Sequence, residues 1–89
     1  MMKIFGFALA AVMAATAAFA DIKPAVIYDM GGKFDKSFNE GVYNGVKRFT
    51  EETGIAVMEF EVTNEAQRQQ AMERMVKRGA TVVLGVGFA

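Results

Sequence analysis

Three short apolar segments alternate with two segments of helical periodicity between residues 24 and 87. The apolar segments span residues 24–28, 55–62 and 81–87. The first helical segment lies between Ser37 and Gly54, and the second spans residues 65–78. Because parallel strands need connections of about a dozen residues or more, this order predicts an α/β fold with a βαβαβ parallel sheet.

The first 20 residues have the composition of a secretory signal peptide. Lys3 supplies a positive start, residues 4–17 carry no charge, and Ala18-Phe19-Ala20 fits a cleavage pattern before Asp21. The uncharged run of about 17 residues is at the lower limit for a membrane span, and it is rich in Ala rather than Leu. We therefore predict a cleaved signal over residues 1–20 rather than an anchor, and export of residues 21–89, to the periplasm in a Gram-negative source.

Composition excludes several classes of function. The chain has no cysteine and no histidine, which rules out a zinc site, a thiol nucleophile and a Ser-His-Asp triad in this segment. Without residues 1–20 it carries nine basic and ten acidic residues, a formal charge of about −1, so no basic footprint for nucleic acid is present. The lack of cysteine also favours a soluble protein over a lipid-anchored one.

The length of residues 21–89 suits only a partial domain. About two βαβ units fit in this length, at roughly 30 residues per unit. Two helices do not cover both faces of a three-stranded parallel sheet well. We therefore expect these residues to be the N-terminal part of a longer protein, marginal in stability alone.

The first helix is expected to bury one apolar stripe. Ser37 and Glu40 have the spacing of a capping box. Gly41 and Gly45 lie four residues apart, which favours close approach of the helix to the sheet over approach to a ligand. The predicted stripe consists of Phe38, Val42, Val46 and Phe49.

The second half of the chain carries weaker signals. Asn64 is the predicted N-cap of the second helix, with Gln67 three residues later. The second strand alternates polar and apolar residues, which indicates an edge position, and the third is expected to be fully buried. The predicted buried face of the second helix is Ala66, Gln69, Met72, Met75 and Val76, and the predicted exposed face is Arg68, Glu73, Lys77 and Arg78.

The loop of residues 29–39 carries the residues suited to chemistry. It leaves a buried strand, and ligands of open α/β sheets bind outside the carboxyl ends of strands. Its acids, lysine, two glycines, two phenylalanines and Asn39 suit a small polar ligand with a flat ring. A phosphate loop is excluded because Phe34 follows Lys33, where that motif requires Ser or Thr.

Other roles for the same loop residues remain open on the sequence alone. Asp29 and Asp35 are candidates for an acid–base pair, although no nucleophile with an orienting base is visible. Asp35 also suits helix capping, Phe38 suits the core, and Asn39 suits a cap. Asp29 is the residue for which folding offers the weakest explanation, since it ends a buried strand at the binding edge.

The loop also resembles a known family. A strand ending in Asp, followed by Gly-Gly-Lys-x-Asp-Lys-Ser-Phe-Asn, resembles the signature of the basic membrane protein family. These are substrate-binding proteins of ABC importers and are similar to bacterial purine nucleoside receptors. Residues 29–39 carry the match, and residues 85–88 resemble the family's segment after the third strand.

This resemblance implies a type I periplasmic-binding-protein fold, with residues 21–89 as the N-terminal part of lobe one. Two lobes would close by hinge motion around a nucleoside. Asp29 would bind the ligand, Phe38 would stack on the base and Asn39 would hydrogen-bond it, while Gly87 and Phe88 would line the cleft. The expected partners are a nucleoside and an ABC permease in the inner membrane, with no cofactor and no enzymatic activity.

Two alternatives to a nucleoside receptor remain at this stage. An exported α/β enzyme of hydrolase type would use Asp29 and Asp35, since one fold hosts many activities. A sugar receptor would share both the fold and the position of the loop.

Overall fold

The structure is a computed structural model and describes residues 21–88. The predicted signal peptide, residues 1–20, lies outside the described residues. The elements are β1 (Pro24–Tyr28), α1 (Phe38–Thr53), β2 (Met58–Glu61), α2 (Ala66–Lys77) and β3 (Val82–Gly85). No helix within residues 21–88 has the length and apolar character needed to cross a bilayer.

The three strands form one parallel sheet in the order β2-β1-β3. Val26 in the central strand lies opposite Glu59 on one side and Leu84 on the other. The predicted α/β class and the βαβαβ parallel sheet are therefore confirmed. All three strands end at the same edge of the sheet, which is the edge that carries the loop of residues 29–37.

Strand β1 supplies the centre of the core because its side chains are buried on both faces. Ala25 and Ile27 pack with Ala71 and Met75 of α2. On the opposite face, Val26 and Tyr28 pack with a second group from α1 and its surroundings, namely Val42, Tyr43, Val46 and Val57. The two helices therefore cover opposite faces of the sheet, as period-two alternation along β1 requires.

Strand β2 is shorter than predicted but has the expected alternation at a sheet edge. Met58 and Phe60 pack against the α2 face, while Glu59 and Glu61 lie on the exposed side. The buried Tyr28 hydroxyl donates to Glu59 Oε2 at 2.6 Å. Burial raises the pKa of the Tyr28 phenol well above its usual value, and the hydrogen bond to Glu59 adds a smaller increase.

The prediction that β3 is fully buried is wrong for the described residues. Val82 and Leu84 are 57% and 51% exposed. The reason is that α1 lies over β1 and leaves the β3 side of the same face open. A groove of about 360 Å³ separates α1 from these two side chains and is bordered by Gly45 and Phe49.

The predicted close approach at Gly41 and Gly45 is also wrong for residues 21–88. A Cβ atom added at either glycine would meet nothing within 4 Å. Neither glycine is therefore explained by contact of α1 with the described part of the sheet.

The predicted capping box at the start of α1 is wrong, because a different side chain caps the helix. Ser37 makes no side-chain capping hydrogen bond. Instead Asp35 Oδ1 accepts from the backbone N–H groups of Ser37 at 2.8 Å and Glu40 at 3.0 Å. Burial alone would raise the pKa of Asp35, but backbone donors led by Glu40 and Ser37 outweigh it and hold that pKa below its usual value.

Replacing Asp35 with alanine is therefore expected to lower the thermal midpoint of unfolding by several degrees. Loss of a helix cap lowers the free energy of unfolding by an amount that shifts the midpoint of a small domain by about 4–8 °C. The matched control is Ser37→Ala, for which no shift is expected. Because the folded pKa of Asp35 is depressed, its contribution is present above pH 3.8 and is lost as pH falls through the folded pKa. Thermal unfolding at pH 7 and pH 2 measures both effects. Equal shifts for the two variants at pH 7 would contradict the assignment.

Helix α2 is rotated relative to the predicted face. Ala71 and Met75 are buried, whereas Val76, predicted to be buried, is 60% exposed. Arg68, predicted to be on the wet face, has a side chain only 11% exposed. The side chain of Asn64 does not cap the helix, and Gln67 Oε1 instead accepts from the Thr63 N–H at 2.7 Å.

Candidate functional site

A cleft of about 290 Å³ opens at the carboxyl edge of the sheet. All five residues predicted for ligand binding line it: Asp29, Phe38, Asn39, Gly87 and Phe88. Met30, Asp35, Val42 and Val86 complete the lining. Residues 29–42 and residues 86–88 meet here because the ends of β1 and β3 are neighbours and α1 begins beside them.

Asp29 occupies the floor of the cleft with its two carboxylate oxygens in different roles. Oδ1 accepts from the Met30 N–H at 2.9 Å and from Arg68 Nη2 at 2.6 Å. Oδ2 has no hydrogen-bond partner among residues 21–88 and lies against Gly87. The side chain is 31% exposed, so the carboxylate can accept a hydrogen bond from a ligand through Oδ2.

Asn39 is 1% exposed and its amide is directed at the backbone of the strand end. Its Oδ1 accepts from the Asp29 N–H at 2.9 Å, and its Nδ2 donates to the Asp29 carbonyl at 2.9 Å. A longer contact of 3.5 Å joins Nδ2 to the Met30 carbonyl. Asn39 thus ties the end of β1 to the first turn of α1, and fixes the backbone of the residue that presents the carboxylate.

Two aromatic rings stand at the mouth of the cleft. Phe38 is 73% exposed and Phe88 is 99% exposed, so Phe38 does not belong to the apolar stripe of α1. Their ring centroids lie 6.4 Å apart at an interplanar angle of 85°. In this edge-to-face arrangement, a flat ring entering the cleft can stack on one of them and meet the edge of the other.

Gly87 is required by the close approach to Asp29 of the chain that follows β3. It has a φ of +120°, a conformation that side-chain-bearing residues rarely adopt. A Cβ atom at this position would collide with the Asp29 carboxylate. The glycine therefore permits both the turn of the chain toward Phe88 and the position of Asp29 Oδ2.

Arg68 is the member of the site that the helical pattern placed wrongly. Nη1 donates to the Val86 carbonyl at 2.9 Å, Nη2 donates to Asp29, and Nε donates to Glu65 at 3.3 Å. The hydrogen bond to Glu65 raises the pKa of Arg68, burial opposes the rise, and Asp29 adds to it. A cation in the first turn of a helix opposes the macrodipole, and here the carboxylates of Glu65 and Asp29 offset that unfavourable term.

The loop between β1 and α1 is held on the far side by β2. The Lys33 N–H donates to Glu61 Oε1 at 2.9 Å, and Lys33 Nζ lies 4.8 Å from the centroid of the Tyr43 ring. Phe34 packs edge-on against Tyr43 with centroids 5.2 Å apart. Phe34 is therefore an exposed aromatic residue of the same loop that lies outside the cleft.

The polar atoms of the cleft offer little for acid–base chemistry. Asp35 Oδ1 is occupied by two backbone donors, and Asp29 Oδ1 is occupied by Arg68. Within residues 21–88, no cluster of acidic side chains is arranged to hold a metal ion. What the cleft presents is the open Oδ2 of Asp29 as an acceptor, a second carboxylate in Asp35, and two exposed aromatic rings.

Comparison of the chain with protein-family models, with curated proteins and with solved structures gives no match.

Proposed function

We propose that the protein is an exported solute-binding protein of an ABC importer, and that it captures a purine nucleoside for delivery to a membrane permease. The observation that carries this proposal is the pairing of two exposed rings, Phe38 and Phe88, with the open Oδ2 of Asp29 in one cleft. A nucleoside supplies both a flat base and hydroxyl or N–H donors, which suit these groups. Binding rather than catalysis is proposed because Asp35 caps α1, Asp29 is paired with Arg68, and the described lining of the cleft contains no hydroxyl or amine side chain that could act as a nucleophile.

We further propose that residues 21–88 supply one wall of the cleft and that a second lobe of a type I periplasmic-binding-protein fold supplies the other. The cleft is open on the side of Phe38, so a ligand bound there is contacted on one side only by residues 21–88. Residues 21–89 alone are then expected to bind no nucleoside at low-micromolar concentrations, because half of the contacts are missing.

The test of function uses the full-length protein, meaning the chain together with the second lobe proposed above. It is titrated with nucleosides, nucleotides and free ribose, and chromatography detects any products. Stoichiometric nucleoside binding without turnover is expected. A phosphate group should weaken binding, since the open oxygen of Asp29 is an acceptor and Asp35 adds a second negative charge. Turnover of a nucleoside would point to an enzyme, and preference for free sugars would point to a sugar receptor.

The Phe38→Ala variant is expected to weaken nucleoside binding by roughly ten-fold or more, because loss of base stacking on an aromatic ring costs about 1–3 kcal/mol. Binding of free ribose should change little, since ribose has no flat ring to stack. The matched control is Phe34→Ala, which removes an exposed ring of the same loop outside the cleft. Calorimetry on both variants measures the difference. Equal losses for the nucleoside and for ribose would rule out stacking on Phe38.

A further inference from the structure

Arg68 joins the first turn of α2 to the chain at the ends of two neighbouring strands. It lies in the first turn of α2, and its guanidinium reaches the carboxylate at the end of β1 and the Val86 carbonyl that follows β3. The side chain is 11% exposed, and Glu65, directly before α2, partly balances its charge. One planar group therefore fixes the relative positions of the Asp29 carboxylate and the chain leading to Gly87 and Phe88.

The contacts of Arg68 determine which oxygen of Asp29 faces the cleft. Arg68 Nη2 and the Met30 N–H both donate to Oδ1, which leaves Oδ2 beside Gly87 as the oxygen without a partner in residues 21–88. If the carboxylate rotated, the oxygen presented to a ligand would move. The bond to the Val86 carbonyl holds the opposite wall at the same time.

Only arginine offers this combination of contacts. Its fork of N–H donors can bind two acceptors in fixed directions, whereas lysine has a compact ammonium group on a flexible stem. We propose that Arg68 is a positioning residue of the binding cleft, which sets Asp29 Oδ2 as the acceptor for the ligand and holds the wall that carries Phe88. This inference rests on the proposed function of the cleft as a binding site.

The test is a double-mutant cycle in the full-length protein, with nucleoside affinity measured by NMR titration so that weak binding stays measurable. Arg68→Lys keeps the charge and is expected to weaken binding roughly ten- to a hundred-fold, as for lost hydrogen bonds to a charged group. In the Asp29→Asn background, the same change should cost several-fold less, because the effect that acts through the Asp29 carboxylate is already lost and only the contact with the Val86 carbonyl remains to be removed. Arg74→Lys, at an exposed position of the same helix, is the control and should leave affinity unchanged.

A purely structural role for Arg68 predicts a different result, namely the same loss of affinity in both backgrounds. That outcome, or full binding by Arg68→Lys, would overturn the inference. If the unaltered protein binds no nucleoside, the proposed function fails, and a crystal structure of ligand-free Arg68→Lys then decides the role of Arg68. A carboxylate of Asp29 rotated away from Gly87 is the expected result, and an unchanged carboxylate with an unmoved Phe88 would overturn the inference.

Discussion

Gly87→Ala is expected to weaken nucleoside binding on the order of a hundred-fold, equivalent to about 2.7 kcal/mol. The new Cβ atom would collide with the Asp29 carboxylate, and the backbone φ of +120° would be strained in any residue with a side chain. Removing the collision or the backbone strain would move Asp29 Oδ2 or the chain that carries Phe88. Titration calorimetry on the full-length protein measures the loss.

The control for this prediction is Gly41→Ala, because Gly41 lies in α1 and has open space around its Cα atom. That change should stabilise the helix by about 0.5–1 kcal/mol and leave binding unaffected. Unimpaired binding by Gly87→Ala would show that the observed approach of Gly87 to Asp29 is not needed for the ligand. Unfolding measurements on both variants separate an effect on binding from an effect on stability.

Asn39→Asp is expected to lower the free energy of unfolding by about 3 kcal/mol, although the side chain keeps its shape. The change replaces the Nδ2 donor by an oxygen that faces the Asp29 carbonyl, and it places a charge in a site that is 1% exposed. Denaturant unfolding at pH 7 measures the loss. The loss should shrink as pH falls, because a protonated carboxyl group regains a donor for that carbonyl.

Asn44→Asp is the matched control, since Asn44 is exposed on the same helix and its substitution should cost well under 1 kcal/mol. If the two variants unfold alike, or if the loss for Asn39→Asp does not depend on pH, the amide of Asn39 does not hold the end of β1. A structural role for Asn39 is compatible with a ligand role for Asp29, because fixing the Asp29 backbone also fixes its carboxylate.

The fold could be predicted from the sequence where the hydropathy or a cap residue of a segment agrees with the position of that segment in the fold. The apolar run of Ala25 to Tyr28 indicates a strand buried on both faces, and it is the central strand with side chains in both halves of the core. Gly54 was expected to follow the end of the first helix, and it has a φ of +74° with its N–H donating to the Thr50 carbonyl.

The cleft was predictable in position because the ends of parallel strands share one edge. That rule brings Asp29 and Gly87 together from opposite ends of the described chain, and the structure places them in contact. The contribution of Arg68 was not predictable from periodicity, because a charged residue in a helix is normally solvated, and its burial here depends on ion pairs with Glu65 and with the distant Asp29.

The cap of α1 and the exposure of β3 could not be predicted from the sequence either. Ser37 and Glu40 have the spacing of a capping box, but Asp35 reaches the same backbone donors two and five residues ahead of it. A carboxylate is the stronger acceptor, so it displaces the hydroxyl from the cap. The exposure of Val82 and Leu84 follows from which helix covers which strand, and hydropathy does not carry that information.

The two edges of the sheet differ in how they would receive another strand. Strand β2 carries Glu59 and Glu61, and charged side chains on an edge strand oppose pairing with a neighbour. Residues 79–88, which include β3, contain no charged side chain, and Val82 and Leu84 offer exposed apolar surface beside the backbone. Extension of this sheet therefore has a direction: it is favoured beside β3 and opposed beside β2, whichever polypeptide contributes the added strand.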